Sequence, residues 1–334
     1  MLAAFRKFHP QTLRLIALAL VLLLTVLFFT TQIDNYFSPR MLSRISTSAA
    51  VILPIAIGQA IVVMTRNIDL SVGSLVGVVA YVSGDFLASH QSLNPVLFVL
   101  LCLCLGGACG AINGLLVAYG RVPSIIVTLG TLALYRTFLV EYSDARTITT
   151  ASLPKWLVDF PSATLFSIGS FEVRTVVVLA AAAALVAWLT LSRLRAARQF
   201  YAVGSNPDAA VFAGINSARV VFWAFVISGV LAGLSGFIFL AKFGNITVVA
   251  GIGFELKSVA AVVVGGVNIF GGSGSIIGVV LGTVLVDTID NSLIRWAVVS
   301  EFWREALLGM LIMLAVVADT LMARSFGRLR GKDS

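Results

Sequence analysis

Two carboxylates, Asp287 and Asp290, lie three residues apart within an otherwise apolar stretch. Residues at this spacing share one face of a helix, and carboxylates inside a membrane can relay protons in an ion-driven transporter. The basic residue nearest to them in the sequence is Arg295. A proton relay and a structural pairing of the two carboxylates are both open at this point.

Other polar residues also interrupt apolar stretches. Asp69 and Ser71 precede a Gly-rich apolar run, where either side chain can cap the free N–H groups of a helix start. Such a helix start could also orient a polar substrate, but capping is favoured because an uncharged ligand offers nothing to the helix dipole. Buried polar side chains either line a passage or bond across helices. The pathway candidates are Asp69, Ser71, Asn113, Thr128, Asp287 and Asn291.

No set of residues indicates covalent catalysis, a cofactor loop or a metal site. The sequence has no GxxxxGK[ST] phosphate loop, so any ATP hydrolysis is expected in another chain. Cys102, Cys104 and Cys109 share one apolar run, which is typical of buried thiols. His9 and His90 are separated by apolar segments, which makes a paired metal site improbable.

The composition places the chain in a bilayer. With 59% hydrophobic and 11% charged residues and a mean hydropathy of +1.02, 334 residues have too little polar surface for a soluble globule. Because about 20 apolar residues cross the hydrocarbon core, we predict an all-α polytopic membrane protein with about ten transmembrane helices. The candidate spans lie near residues 12–31, 47–65, 70–89, 95–118, 123–141, 174–192, 219–241, 255–270, 274–297 and 303–322. The third and eighth are Gly-rich and marginal, and can enter the membrane without crossing it.

The net charge of +8 does not indicate a nucleic-acid partner, because the basic residues are scattered between apolar segments. If the amino terminus is inside, more than half of the basic residues fall on inner segments. This distribution predicts that both termini are cytoplasmic.

The segment RQFYAVGSNPDAAVFAGIN, residues 198–216, is polar between two apolar runs and predicts a helix of about seven residues. The residues that would start and end it are Asn206, Pro207, Asp208 and Gly214. A helix this short is hardly stable alone in water. It must pack either on its own protein at the lipid interface or, through Phe212, into a socket of a partner.

The sequence GSLVGVV at 73–79 recurs as GSIIGVV at 274–280. An internal duplication is one explanation, and shared small-residue spacing for close helix packing is the other. In both cases we expect these glycines to be packing sites. On the outer side, LPKWLVDF predicts a short surface helix with Trp156 at the membrane interface.

Four stretches in order resemble sugar-importing ABC permeases of the ribose type. They are MTRNIDLSVGSLVG (64–77), VPSIIVTLGTLALYR (122–136), FYAVGSNPDAAVFAGIN (200–216) and VVVGGVNIFGGSGSIIGVVLG (262–282). The likeness covers roughly residues 45–320. Arg66 and Asn67 stand where that family often has two glycines, and this pattern is similar to the permeases that import autoinducer-2 and, in some bacteria, rhamnose.

The resemblance implies a single transmembrane permease domain over residues 1–334 in a bacterial inner membrane. A cytoplasmic coupling loop would span 193–218 and an outer loop 142–172. The implied partners are a second permease subunit, identical or paralogous, a cytoplasmic ATP-binding subunit that uses the ATP, and a periplasmic sugar-binding protein. The permease itself would hold no cofactor.

In the resembled family a short helix docks into a cleft of the ATP-hydrolysing subunit. The resemblance therefore assigns coupling to Gly204, Asn206, Pro207, Asp208, Ala209, Ala210, Phe212 and Gly214. It assigns docking of the binding protein to Asp144, Arg146, Lys155, Asp159 and Glu172. An ion-coupled secondary transporter that uses Asp287 and Asp290, and a membrane scaffold without a passage, are the alternatives.

Overall fold

The computed structural model describes residues 10–169, 171–296, 300 and 303–330. The predictions about His9 and the two chain ends lie outside this part. The described chain forms thirteen α-helices: α1 Pro10–Gln32, α2 Pro39–Met64, α3 Val72–Ser89, α4 Pro95–Gly114, α5 Ser124–Ser143, α6 Lys155–Asp159, α7 Thr175–Arg193, α8 Arg195–Ser205, α9 Pro207–Phe212, α10 Ser217–Phe243, α11 Phe254–Val264, α12 Ile276–Arg295 and α13 Trp303–Arg330. A π-helical turn, Leu115–Tyr119, extends α4, and a 3₁₀ turn covers Thr150–Ser152.

Eight helices of the described part are long and apolar enough to cross a bilayer, namely α1 to α5, α7, α10 and α12. The predicted polytopic helical protein is confirmed, whereas the count of ten spans is not. The marginal segment 255–270 forms α11, which has 11 residues and is about 16 Å long, so it is too short to cross. The segment 303–322 lies within α13, a helix of 28 residues.

Three helices begin with the same local signal, a polar cap followed by proline. Ser38, Asn94 and Asn206 each accept a backbone N–H from the first turn of α2, α4 and α9, at 3.3, 2.8 and 3.0 Å. The proline that follows each cap has no N–H to leave unpaired and holds a helical φ. The sequence therefore sets these three helix starts locally.

Helix α2 lies at the centre of the molecule. In its most apolar 18-residue window 94% of the residues are buried, compared with 11% in α1. It packs against α7, α10, α11 and α12, and Ile55 and Ile57 are fully buried. Because core packing is dense and transmits displacement, a movement of α2 reaches most of the fold.

The close crossing of α4 and α10 depends on glycines. A Cβ on Gly229 would lie 2.3 Å from the carbonyl oxygen of Gly106, and a Cβ on Gly233 would lie 2.3 Å from that of Cys102. The two backbones are in direct contact, so no side chain fits between them. Small residues at this spacing supply the van der Waals contact that holds helices together in lipid.

The glycines of the repeated heptapeptide are also packing sites, as predicted. A Cβ on Gly77 would lie 2.5 Å from the carbonyl oxygen of Ala250, and a Cβ on Gly278 would lie 2.1 Å from that of Gly265. Helix α3 thus rests on the backbone of the loop before α11, and α12 rests on the backbone at the end of α11.

The helices that precede the two copies end in the same way. In both, two backbone N–H groups beyond the helix donate to carbonyls of its last turn, the geometry of a Schellman cap. The pairs are Arg66 to Val63, Asn67 to Val62, Gly266 to Val263 and Val267 to Val262, at 2.9 to 3.3 Å. The two repeated sequences are thus preceded by helices that end with the same hydrogen bonds. This agreement favours an internal duplication over the alternative that the two sequences share only the spacing of small residues.

The outer loop, residues 142–172, contains structure that the sequence did not predict. Strands β1 Thr164–Ile168 and β2 Phe171–Arg174 form an antiparallel hairpin in an otherwise helical fold. The predicted surface helix is confirmed as α6, which buries Leu157 and sets Trp156 edge-on to Phe98 with ring centroids 5.9 Å apart. The loop is thus anchored to the helical body by apolar contacts.

The glycine crossing leads to a first prediction. Gly229→Ala places a methyl group on the Gly106 carbonyl, and we expect a loss of about 1–3 kcal/mol because the helices must separate. Thermal unfolding of the purified protein in detergent measures this as a lower midpoint. Gly130→Ala is the matched control, because nothing lies within 4 Å of that position. Equal midpoints for the two variants would show that the crossing does not need glycine.

Candidate functional site

The predicted short helix is present as α9, which has six residues. The Asn206 Oδ1 accepts the N–H of Ala209 at 3.0 Å, Pro207 takes the first position, and Asp208 lies in the first turn. Gly214 has a φ of +80°, a conformation that closes the helix and suits glycine. The local structure predicted from the sequence is confirmed.

Helix α9 turns one small residue towards its own protein and its large side chains away from it. Ala210 is buried, whereas Phe212 is 92% exposed and Val211 is 59% exposed. Helix α9 therefore packs on its own protein through Ala210, while Phe212 takes no part in that contact. The exposed phenylalanine is available to a partner, and the coupling roles of the eight assigned residues stay predictions.

The coupling segment, residues 193–218, and the outer loop lie at opposite ends of the molecule. Helix α7 runs from the hairpin to Arg193, and α10 returns from Ser217 to Phe243. With 19 and 27 residues they extend about 28 and 40 Å. At the far end of α10, Ile246 pairs with Ile148 of the outer loop. Both helices are therefore long enough to carry the chain from one membrane face to the other.

The coupling segment meets the end of α2 in a junction made by Met64, Arg66, Gly204, Ser205, Gly271 and Gly272. Gly272 donates its N–H to the Met64 carbonyl at 3.0 Å. Arg66 donates from Nε to the Gly204 carbonyl and from Nη2 to the Ser205 carbonyl, at 2.6 and 2.7 Å. In the sequence Arg66 is only a departure from a family pattern, and no local signal predicts this contact because it joins residues far apart in the chain.

Four of the pathway candidates come together near the start of α3. The Asp69 Oδ1 accepts from the Ser71 backbone N–H and hydroxyl at 3.0 and 2.7 Å. The Asn113 Nδ2 donates to the Ser71 hydroxyl at 2.8 Å. Thr128 donates to the carbonyls of Ile68 and Ser124 at 3.3 and 2.8 Å. The cluster joins α3 to α4 and α5.

Neither Asp69 nor Ser71 caps α3 with its side chain, so the capping expected from the sequence is wrong. Ser71 occupies the cap position but makes no side-chain bond to the helix, and Asp69 instead orders the turn before it. Gln59, which sequence reasoning missed, pairs its amide with the backbone N–H and carbonyl of Asp69 at 3.3 and 2.9 Å. Asp69, Ser71, Asn113 and Thr128 are all fully buried, so they bond across helices in this conformation, and their pathway role stays a prediction.

The other two candidates, Asp287 and Asn291, lie in a second cluster on α12. The Asp287 carboxylate accepts from the Ser48 hydroxyl at 3.0 Å and from the Asn291 amide at 3.1 Å. Asp290 pairs with Lys257 at 2.7 Å and with Arg304 at 2.7 Å. The expected neighbour Arg295 is not the basic partner, because Lys257 and Arg304 arrive from α11 and α13. Structural pairing of the two carboxylates is what the structure shows.

The residues assigned to docking of a binding protein lie around the outer loop. All five side chains are exposed: Asp144, Arg146, Lys155, Asp159 and Glu172. Asp144 and Arg146 are 3.9 Å apart with exposures of 83% and 78%, a distance at which a solvated pair contributes little to stability. Their role in docking stays a prediction.

A profile of the family described as the permease component of branched-chain amino acid transport systems matches residues 41–316. The chain belongs to this family. The permease is therefore a multi-pass transport subunit of a bacterial inner membrane.

Two relatives of the permease cover most of its length. The autoinducer 2 import system permease protein LsrC of Yersinia pseudotuberculosis serotype O:3 (strain YPIII) is 36% identical over 313 residues, which are 93% of this chain and 84% of the relative. LsrC of Escherichia coli O9:H4 (strain HS) is 35% identical over 326 residues, 97% of this chain and 90% of the relative. No solved structure matches the chain.

The buried ion cluster on α12 leads to a second prediction. Asp290→Asn leaves Lys257 and Arg304 without their counter-charge, and we expect a loss of about 2–3 kcal/mol, below the value for a fully buried pair because both cations keep some contact with solvent. The thermal midpoint in detergent reports this loss. Glu305→Gln, an exposed carboxylate beside Arg304, is the control. A structural role for Asp290 is contradicted if both variants unfold at the wild-type temperature.

Proposed function

We propose that this permease forms half of the membrane passage of an ATP-driven importer whose cargo is autoinducer-2. The ATP would be hydrolysed by a separate cytoplasmic subunit that grips α9, and the cargo would arrive on a periplasmic binding protein that docks at the outer loop. The relatives named LsrC support the cargo, since they align with nearly the whole chain.

The observation that carries the proposal is the exposure of Phe212. A short helix with a side chain that is 92% exposed gains nothing from its own protein at that position. Exposed aromatic side chains on a rigid element are typical anchors of protein interfaces. The cap at Asn206 and the turn at Gly214 hold the helix in one conformation, so it transmits a displacement better than a loose loop.

A passage between two permease subunits agrees with the distribution of buried surface. In each of the helices α4, α5 and α7, only 28% of the residues in the most apolar 18-residue stretch are buried. Their exposed faces are apolar, which suits both lipid and a second subunit. Two subunits would form a dimer in which such faces enclose the passage, and alternating access would follow from the rocking of these helices.

The ion-coupled alternative receives no support from the described structure. A proton relay needs carboxylates that are free to exchange protons, whereas Asp290 is held by two cations and Asp287 by two hydrogen-bond donors. The pair is therefore better suited to tie α12 to α2, α11 and α13 than to carry ions.

The coupling assignment leads to a third prediction. Phe212→Ala removes the anchor of α9, and we expect the interaction with the ATP-binding subunit to weaken by about 2 kcal/mol or more, roughly thirtyfold, as for other interface anchors. Co-purification of the ATP-binding subunit with the tagged permease measures the loss. Phe37→Ala is the control, since Phe37 is 69% exposed but lies in the turn before α2.

Asp208→Arg reverses the charge at the start of α9 and should have the same effect without preventing membrane insertion. Undiminished co-purification with both Phe212→Ala and Asp208→Arg would place the contact elsewhere.

The cargo is tested by uptake, which is the fourth prediction. Proteoliposomes that contain the permease and its ATP-binding subunit, supplied with the binding protein and ATP, should accumulate labelled autoinducer-2 and show much weaker uptake of rhamnose and ribose. Accumulation that follows a proton or sodium gradient in the permease alone would instead establish the secondary transporter. Preferential uptake of rhamnose or ribose would keep the importer and change its cargo.

A further inference from the structure

We propose that Arg66 is a positioning residue that carries the movement of the coupling segment into the core through a two-point clamp. The inference rests on the proposed function, because it states how a displacement received at α9 reaches α2. Its basis is the pair of hydrogen bonds from the guanidinium to the carbonyls of Gly204 and Ser205, at 2.6 and 2.7 Å.

The two acceptors are the last carbonyls of α8. Such carbonyls have no intrahelical donor and lie at the negative end of the helix dipole, so a cation there is stabilising. The guanidinium is planar and offers several N–H groups in a fixed geometry, which suits two neighbouring oxygens. A lysine ammonium carries all its donors on one atom and lacks this planar, spaced geometry. The residue type therefore matches a clamp with two contacts.

Arg66 makes this contact from an unfavourable backbone conformation. Its φ is +65°, a left-handed value that costs a residue with a Cβ about 1–2 kcal/mol. Glycine would adopt the same conformation without this cost. A long cationic side chain at such a position indicates that its contacts offset the strain.

Close backbone contacts make the clamp stiff. A Cβ on Gly204 would lie 1.7 Å from the Met64 carbonyl oxygen, and a Cβ on Gly272 would lie 2.7 Å from the Cα of Ser205. The same carbonyl of Met64 accepts the Gly272 N–H. Because there is no gap to close, a pull on α8 through Arg66 moves the end of α2 and the loop before α12 together.

The order of the elements along the chain sets the direction in which a displacement would pass, from α9 to α2. Helix α9 begins at Pro207, immediately after the two clamped carbonyls and the cap residue Asn206. Met64 is the last residue of α2, the helix that packs against most of the core. Arg66 therefore stands between the surface that would receive the stroke and the helix that would distribute it.

The variant Arg66→Gly tests the clamp, because it removes both hydrogen bonds and also relieves the backbone strain. Arg121→Gly is the matched control. Arg121 also has a positive φ, +56°, and like Arg66 it is exposed, but its side chain makes no hydrogen bond or ion pair within the described residues. Arg66→Lys keeps the charge and loses the two-point geometry.

The first measurement is hydrogen exchange of the purified permease without partners. We expect faster exchange at residues 203–206 in Arg66→Gly than in wild type, and no change there in Arg121→Gly. This arm does not depend on the proposed function. Unchanged exchange in Arg66→Gly would overturn the clamp.

The second measurement is autoinducer-2 uptake per ATP hydrolysed, in proteoliposomes with the ATP-binding subunit and binding protein. We expect Arg66→Gly to retain the ATP-binding subunit and to lose uptake per ATP on the order of tenfold, within the range of changes along a coupling contact. Arg66→Lys should fall between Arg66→Gly and wild type, and Arg121→Gly should match wild type.

Wild-type uptake per ATP in Arg66→Gly would overturn the proposal. Loss of the ATP-binding subunit from that variant would also overturn it, because Arg66 would then shape the docking surface rather than transmit from it. If the wild-type assembly shows no ATP-driven uptake, the proposed function fails, and the exchange measurement alone decides the clamp.

Discussion

The contact between the last carbonyl of α2 and the coupling segment is the constraint on which the rest of this permease depends. The Met64 carbonyl accepts a hydrogen bond from Gly272 and lies directly against Gly204. Three stretches of backbone thus meet without intervening side chains. In a bilayer there is little hydrophobic force between helices, so such direct contact and its hydrogen bonds hold the elements in place. The exposed helix α9, the central helix α2 and the loop before α12 are coupled at this one point.

Satisfaction of backbone and side-chain polar groups explains much of the remaining architecture. The turn before α3 is ordered by Asp69 and Gln59, and the ends of α2 and α11 close on themselves with the same pair of hydrogen bonds. A membrane protein must satisfy its polar groups internally, because lipid offers them no hydrogen-bond donors or acceptors. The buried polar residues of this chain are accordingly concentrated where helices start, end or cross, and they act as fasteners in the described conformation.

The charged cluster on α12 has the same character. Asp290 is neutralised by cations from two other helices, and Asp287 is hydrogen-bonded to α2 through Ser48. A buried carboxylate is costly unless it is paired, so these contacts are required for any fold that places it there. In the proposed importer the stroke received at α9 would drive transport, without proton movement along α12.

The sequence by itself determined the local features. Composition placed the chain in a membrane, and the order Asn206–Pro207–Asp208 with Gly214 predicted α9, because caps and turns depend on residues within one helical turn of each other. The hairpin at 164–174 and the basic partners of Asp290 were not predicted, since pairing between distant residues leaves no periodic signal. Arg66 shows the difference most clearly. In the sequence this residue was only a departure from a family pattern. The tertiary structure alone brings its guanidinium to two carbonyls more than a hundred residues away. The reason is that helix packing decides which free backbone groups meet which side chains.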